Sequence, residues 1–160
     1  MQLGLGAIHE LDDERLKLAA QLGVPNIIMH TPQLSGDGYW PYQDLLALRK
    51  RVESVGLTLY GIENVPRHFY DKVLEGRPGR DEQIEAMQRT IRNMGRAGIK
   101  VLGYHFNVLG VWRTERTRRG RGGAWVTIYD HRLVENAPIA DCGEIDADTL
   151  WDSFAYFLRA

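Results

Sequence analysis

Residues 26–64 read NIIMHTPQLSGDGYWPYQDLLALRKRVESVGLTLYGIEN, and this stretch decides the fold. It opens on a short apolar run, Asn26 to His30, of the β-branched type that suits a strand. A polar loop carrying Pro and Gly follows, from Thr31 to Tyr42. Gln43 to Ser54 then repeats its apolar residues at helical spacing: Leu45, Leu46, Leu48 and Val52 make a core-facing stripe, while Arg49, Lys50, Arg51 and Glu53 face solvent. Gly56 closes that helix, and a second apolar run, Leu57 to Ile62, comes next, with Glu63 and Asn64 at its C-terminal end. Strand, helix and strand in this order form a βα unit followed by the start of another.

The same grammar extends both ways along the chain. Upstream lies a run from Gln2 to Gly6, then a helix that Asp12 or Asp13 can cap and Gly23 can close. Downstream, after the loop Val65 to Arg80, Asp81 begins a helix in which Ile84, Met87, Ile91 and Met94 share one face and Gly98 ends it. The run Ile99 to Phe106 is nearly all apolar, which predicts a strand buried on both faces. Asn107 to Ile145 is too polar and glycine-rich to be a core element, and Asp146 or Asp148 can cap a last amphipathic helix, Thr149 to Arg159. Four strands alternate with four helices, which is half of an eight-unit (β/α) barrel of about 250 residues or more. The predicted fold is therefore α/β, with residues 1–160 as the N-terminal half of a single TIM-barrel domain and the C-terminal half absent. Four parallel strands alone leave two apolar edges, so truncation or pairing with a second copy is expected. A small doubly wound sheet is the competing fold, but Leu3 to Gly6 does not open into a glycine-rich phosphate loop.

Bulk properties narrow the class. The chain has 160 residues, 44% of them hydrophobic, enough to bury a core without disulfides, and its one cysteine, Cys142, allows no intrachain disulfide. A net charge of −1 provides no global attraction to nucleic acid or to an anionic membrane. No apolar stretch approaches the roughly 20 residues of a membrane helix, and the N-terminus lacks a secretory pattern. A cytoplasmic enzyme domain is expected, with no nucleic-acid or membrane partner.

In such a barrel the chemistry gathers at the C-terminal ends of the strands. His30, Glu63, Asn64 and His105 all fall there. Two imidazoles and a carboxylate have the composition of a facial metal triad; the plainer reading makes each a hydrogen-bonded strand-end group or a substrate contact. Trp112 to Gly123 carries five arginines, Arg113, Arg116, Arg118, Arg119 and Arg121, on what reads as a flexible loop. A guanidinium grips a carboxylate through two parallel hydrogen bonds, so a small anionic guest suits this loop; a phosphate or RNA patch and a solvated loop are the rivals. Tyr39 and Trp40 either pack on a polyhydroxylated ligand or anchor their loop to the next helix. His68 and Tyr70 are candidate acids, bases or hydrogen-bond donors. Cys142 has no nucleophile-and-base pattern around it.

Several segments together resemble the mannonate dehydratase family: His30-Thr31-Pro32-Gln33-Leu34 with Gly36-Asp37-Gly38-Tyr39-Trp40, Ile62-Glu63-Asn64-Val65-Pro66, Gly79-Arg80-Asp81-Glu82-Gln83, Leu102-Gly103-Tyr104-His105-Phe106, and Gly110-Val111-Trp112-Arg113-Thr114 with Arg116-Thr117-Arg118-Arg119-Gly120. The likeness runs along nearly the whole chain. It implies a hydro-lyase of xylose-isomerase-like barrel fold that converts D-mannonate to 2-dehydro-3-deoxy-D-gluconate in glucuronate breakdown, using Mn2+ or a relative such as Fe2+ or Mg2+. It also implies metal ligands of His, Cys and Asp type on later strands, so that this fragment alone neither binds metal nor turns over substrate. His30, Trp40, Glu63, Asn64, His105, Arg113, Arg116 and Arg118 then become substrate-pocket candidates, with His30, Glu63 and His105 no longer cast as ligands. The expected partner is a small sugar acid, and a homo-oligomer is expected. The alternatives are a silent self-associating half-barrel and a related sugar isomerase.

Overall fold

The structure is a computed structural model that describes residues 2–160. Strand β1, Gly4–Ile8, leads to helix α1, Asp13–Gln21; β2, Asn26–His30, to α2, Tyr42–Glu53; and β3, Thr58–Glu63, to a 3₁₀ turn at Arg67–Phe69, a single helical turn α3 at Asp71–Leu74, and the long α4, Arg80–Arg96. After β4, Val101–Gly103, come a hairpin of β5, Glu115–Arg119, with β6, Trp125–Ile128, and finally α5, Ala147–Arg159. The first four strands form one sheet in the order β1-β2-β3-β4, every pair parallel. The βα alternation predicted from sequence is thus present, with β1 displaced two residues toward the C-terminus.

Local chemistry explains where the elements start. Asp12 caps α1 by accepting a hydrogen bond from the Arg15 backbone N–H at 2.7 Å, and Asp146 caps α5 through the Thr149 N–H at 2.7 Å. Each satisfies a first-turn donor that the helix itself leaves free. Core formation follows the two periodicities. Ile27, Met29, Leu59 and Ile62 are buried with Leu16 and Ala19 of α1, Leu45 and Val52 of α2, and Met87 and Met94 of α4. The other face of the sheet lacks such a cover: Ile28 is only partly buried, and Tyr60 and Val101 stay open to solvent.

Two expectations need correction. Ile99 to Phe106 does not form a long strand buried on both faces. Only Val101–Gly103 pairs, with β3 as its one neighbour among the described residues, and Val101 on the uncovered face is 41% exposed. Tyr104 and Phe106 leave the sheet and pack their rings on α5, with Phe106 4.9 Å from Phe154 and Tyr104 5.5 Å from Phe157. The arginine-rich segment is an antiparallel hairpin rather than a flexible loop. Trp125, Val126, Thr127 and Ile128 are strong strand formers, and the Arg119 guanidinium stacks on the Trp125 ring, 3.4 Å from its centroid, to tie the two strands together.

Close packing between β3 and β4 depends on one glycine. A Cβ built at Gly61 would lie 2.9 Å from both the Cβ and the carbonyl oxygen of Val101. Gly61→Ala is therefore expected to push β4 off the sheet and to destabilise the chain by about 1–3 kcal/mol, the usual range for overpacking, as read from chemical denaturation midpoints. A midpoint equal to that of the parent would show that β4 is not held at this distance.

Candidate functional site

Because the four strands are parallel and nearly in register, their C-terminal ends share one rim. His30, Glu63 and Gly103 are register partners across β2, β3 and β4. Asn64 follows directly on β3, and its side chain sits between two imidazoles: its Nδ2 donates to His30 Nε2 at 3.1 Å, and its Oδ1 accepts from His105 Nδ1 at 2.9 Å. The Thr31 hydroxyl holds the other His30 nitrogen, Nδ1, at 3.1 Å. His9, the residue after β1, packs its ring on His30 with centroids 4.4 Å apart. One polar group from each strand end thus joins a continuous arc.

The backbone at this rim is bent in an unusual way. Ala7, Thr31 and Asn64 have φ values of 23°, 43° and 58°, the non-glycine residues with positive φ among those described; Ala7 is the penultimate residue of β1, and Thr31 and Asn64 directly follow β2 and β3. Asparagine tolerates that region better than most residues; Ala and Thr adopt it at a cost. Such strain concentrates where the surrounding structure must aim a side chain. Here it turns Thr31 and Asn64 back toward His30, while Thr31 N–H donates to the Glu63 carbonyl and Asn64 N–H to the Gly103 carbonyl.

The structure brings together His30, Asn64 and His105 from the sequence-derived set and places Glu63, half-buried, at their level. It does not bring Trp40 to the rim. That indole is 1% exposed and lies edge-on to Phe69. Its backbone N–H reaches Thr90 Oγ1 at 3.2 Å, and its carbonyl accepts from Asn93 at 2.9 Å. Its side chain is committed to anchoring the 31–41 loop on α4. Arg113, Arg116 and Arg118 stand on the hairpin, outside the four-stranded sheet. Arg113 donates to Thr127 Oγ1 and to its neighbour's carbonyl, Arg118 pairs with Glu115 at 2.9 Å, and Arg116 is exposed.

Sequence reasoning missed His9, because ending the first strand at Gly6 left His9 three residues past the rim. Placed after Ile8, it obeys the same strand-end rule that singled out the other four. Tyr70, one of the candidate donors, is buried and donates its hydroxyl to the His105 carbonyl at 3.1 Å, fixing the segment that carries that imidazole. Burial pushes its phenol above the ordinary tyrosine range, against a smaller opposing effect of Arg67. A group whose proton is held more tightly in the folded state stabilises the fold below its unfolded pKa and loses that contribution as pH rises through the folded value. Stability is therefore expected to fall above about pH 10, and Tyr70→Phe is expected to flatten that limb in denaturation curves taken at several alkaline pH values. An unchanged limb would assign it to other groups.

His30 has both ring nitrogens engaged, and among the described residues no three His, Cys, Asp or Glu side chains are placed to hold a metal ion. The described residues do not fit a metal centre. Among the described residues, no helix is long and apolar enough to cross a membrane.

Comparison with known proteins gives a consistent result. The family model described as D-mannonate dehydratase (UxuA) matches residues 8–142. The chain is similar to the mannonate dehydratase of Thermotoga maritima, 39% identical over 97 residues, which is 60% of this chain and 26% of that protein. It is 27% identical to mannonate dehydratase 2 of Halalkalibacterium halodurans in an alignment covering the whole chain and 53% of the relative. Its fold matches the crystal structure of mannonate dehydratase from Streptococcus suis serotype2 with a TM-score of 0.83 at 25% identity, over 99% of this chain and 48% of that one. The chain thus spans at most about half the length of these proteins.

Proposed function

Since the chain belongs to the D-mannonate dehydratase family, we propose that it is the N-terminal half of a (β/α)8 barrel which removes water from D-mannonate to give 2-dehydro-3-deoxy-D-gluconate, a cytoplasmic step of glucuronate breakdown. The observation that carries this reading is the arc of His30, Asn64 and His105 at the C-terminal ends of three adjacent parallel strands, where barrel enzymes build their sites. The reaction breaks the C2–H bond and the C3–O bond; the proton goes to a base, the hydroxide leaves protonated as water, and the resulting enol becomes the 2-keto product. His105 is exposed at the rim and has the chemistry of that base. His30, Glu63 and Asn64 hydrogen-bond the substrate or one another. Arg113, Arg116 and Arg118 are the candidate grips for the substrate carboxylate, a role for which a planar guanidinium is suited. The divalent ion implied by the family, Mn2+ or else Fe2+ or Mg2+, would be held by residues beyond this chain, and the chain alone is proposed to be inactive.

The test is to join the chain to the remaining strands, supply Mn2+ and follow loss of mannonate, with the 160-residue chain assayed in parallel. Turnover by the joined protein alone is the expected outcome. No turnover of any aldonic acid by the joined protein would remove the proposal.

A second reading, self-association, is favoured by the open β4 edge. Beside it runs a groove of about 520 Å³ lined by Ile84, Met87, Ile91, Leu102, Tyr104 and Phe157. In a second copy turned about an axis along the strands, β1 would lie parallel to β4, and the two copies would close an eight-stranded ring with twofold symmetry. Sedimentation of the chain is expected to give a dimer; a monomer across the micromolar range would dismiss this arrangement.

A further inference from the structure

We propose that the Asn64 amide sets the proton positions of His30 and His105 as a pair. A carboxamide has one end that only donates and one that only accepts. Asn64 spends its donating end on His30 Nε2 and its accepting end on His105 Nδ1. Nε2 of His30 must then be bare, so His30 carries its proton on Nδ1, where the Thr31 hydroxyl accepts it at 3.1 Å. Nδ1 of His105 must carry a proton, so a neutral His105 presents a bare Nε2. Both rings hold the same tautomer, each with its proton on Nδ1. If the amide turned over, His30 would need its proton on Nε2 and His105 on Nε2 as well, so the two rings change together. A mixed pair forfeits one of the two bonds and leaves a donor facing a donor or an acceptor facing an acceptor.

This arrangement treats the two rings differently when a proton arrives. His105 can take one on Nε2 and become an imidazolium without disturbing Asn64, because its Nδ1–H already points at Oδ1. At His30 a proton on Nε2 would meet the amide N–H, so it requires the amide to turn over and the His105 bond to change with it. The groups around the pair reinforce the distinction. His30 also faces the ring of His9 at 4.4 Å, has Thr31 on its far nitrogen and Glu63 as its register partner, whereas His105 is exposed and is approached by Tyr70 only through its backbone carbonyl. Asn64 is therefore a positioning residue: it fixes which nitrogen of each ring is bare, turning Nε2 of His30 toward its own amide and leaving Nε2 of His105 free of Asn64. This inference stands on the hydrogen-bond geometry alone and holds whatever the substrate proves to be.

The ring nitrogens report it directly. Long-range proton–nitrogen NMR on the chain labelled with 15N-histidine distinguishes a bare from a protonated nitrogen in each ring. In the parent chain near neutral pH, His30 and His105 are expected to show one common tautomer, with the proton on Nδ1. Asn64→Asp offers two acceptors and no donor, and aspartate tolerates the same backbone conformation. It is expected to move the His30 proton to Nε2 while His105 keeps Nδ1–H, so the rings become unlike. Asn64→Gly, which relieves the backbone at φ 58° and removes the amide, is expected to release both rings to the Nε2–H form that free imidazole prefers. Unlike tautomers in the parent chain, solution-like values for both rings there, or a His30 pattern unchanged in Asn64→Asp would each overturn the proposal. A loose or misfolded variant cannot mimic the unlike pair, because it would return both rings to the solution form.

Discussion

Trp40→Ala is expected to destabilise the chain by about 3–5 kcal/mol, the range for deleting a large buried aromatic. The indole is fully buried, meets Phe69 edge-on at 6.0 Å, and its own backbone is bound at both ends by Thr90 and Asn93 of α4. Truncation leaves a void beneath the 31–41 loop and loosens the backbone bonds that the ring holds in register. Since a domain of this size is stable by only about 5–15 kcal/mol, most of the margin goes, and urea midpoints should drop steeply. Trp40→Phe keeps an aromatic ring in place and should cost less than half as much. A small loss for Trp40→Ala, joined to weaker sugar-acid binding, would instead return Trp40 to the ligand-contact role that its sequence neighbourhood first suggested.

His105→Ala, introduced into the joined protein proposed above, is expected to lower kcat for mannonate by about 10²- to 10⁴-fold, the range for losing a positioned acid or base. KM should change much less, because the imidazole is proposed to act on the transferred proton and not to carry uniform substrate binding. Thermal unfolding is expected to be unaffected within about 0.5 kcal/mol, since the side chain is exposed. Equal kcat in the variant would show that the proton leaves by another route.

Much of this was legible in the residues. The stretch from Asn26 to Asn64 announced strand, helix and strand because apolar spacing changes from two to three or four and back, with Gly56 marking the stop. Strand ends then followed, and with them His30, Glu63, Asn64 and His105. What escaped reading depended on partners that no local pattern reports. His9 was missed through a two-residue error at the end of β1, the least certain feature of any such assignment. Val101 to Gly103 is short, and its outer edge is unpaired among the described residues, a fact invisible in a run as apolar as Ile99 to Phe106. The hairpin was hidden by arginines, whose charge suggested solvent while the Thr and Val positions beside them were already spelling strands. Nor does composition reveal that Arg118 spends its guanidinium on Glu115.

The bare inner surface of the sheet has one more consequence. Gly4 and Gly6 look onto Ile28, Gly61 onto Val101, and Gly103 onto Glu63, so three of the four strands offer hydrogen atoms on the uncovered face of the sheet. Whatever covers this face in the proposed barrel must therefore bring the large residues itself. In the proposed barrel, partner strands with broad side chains at matching heights should fill this face, and partner strands without them should leave it hollow and hydrated.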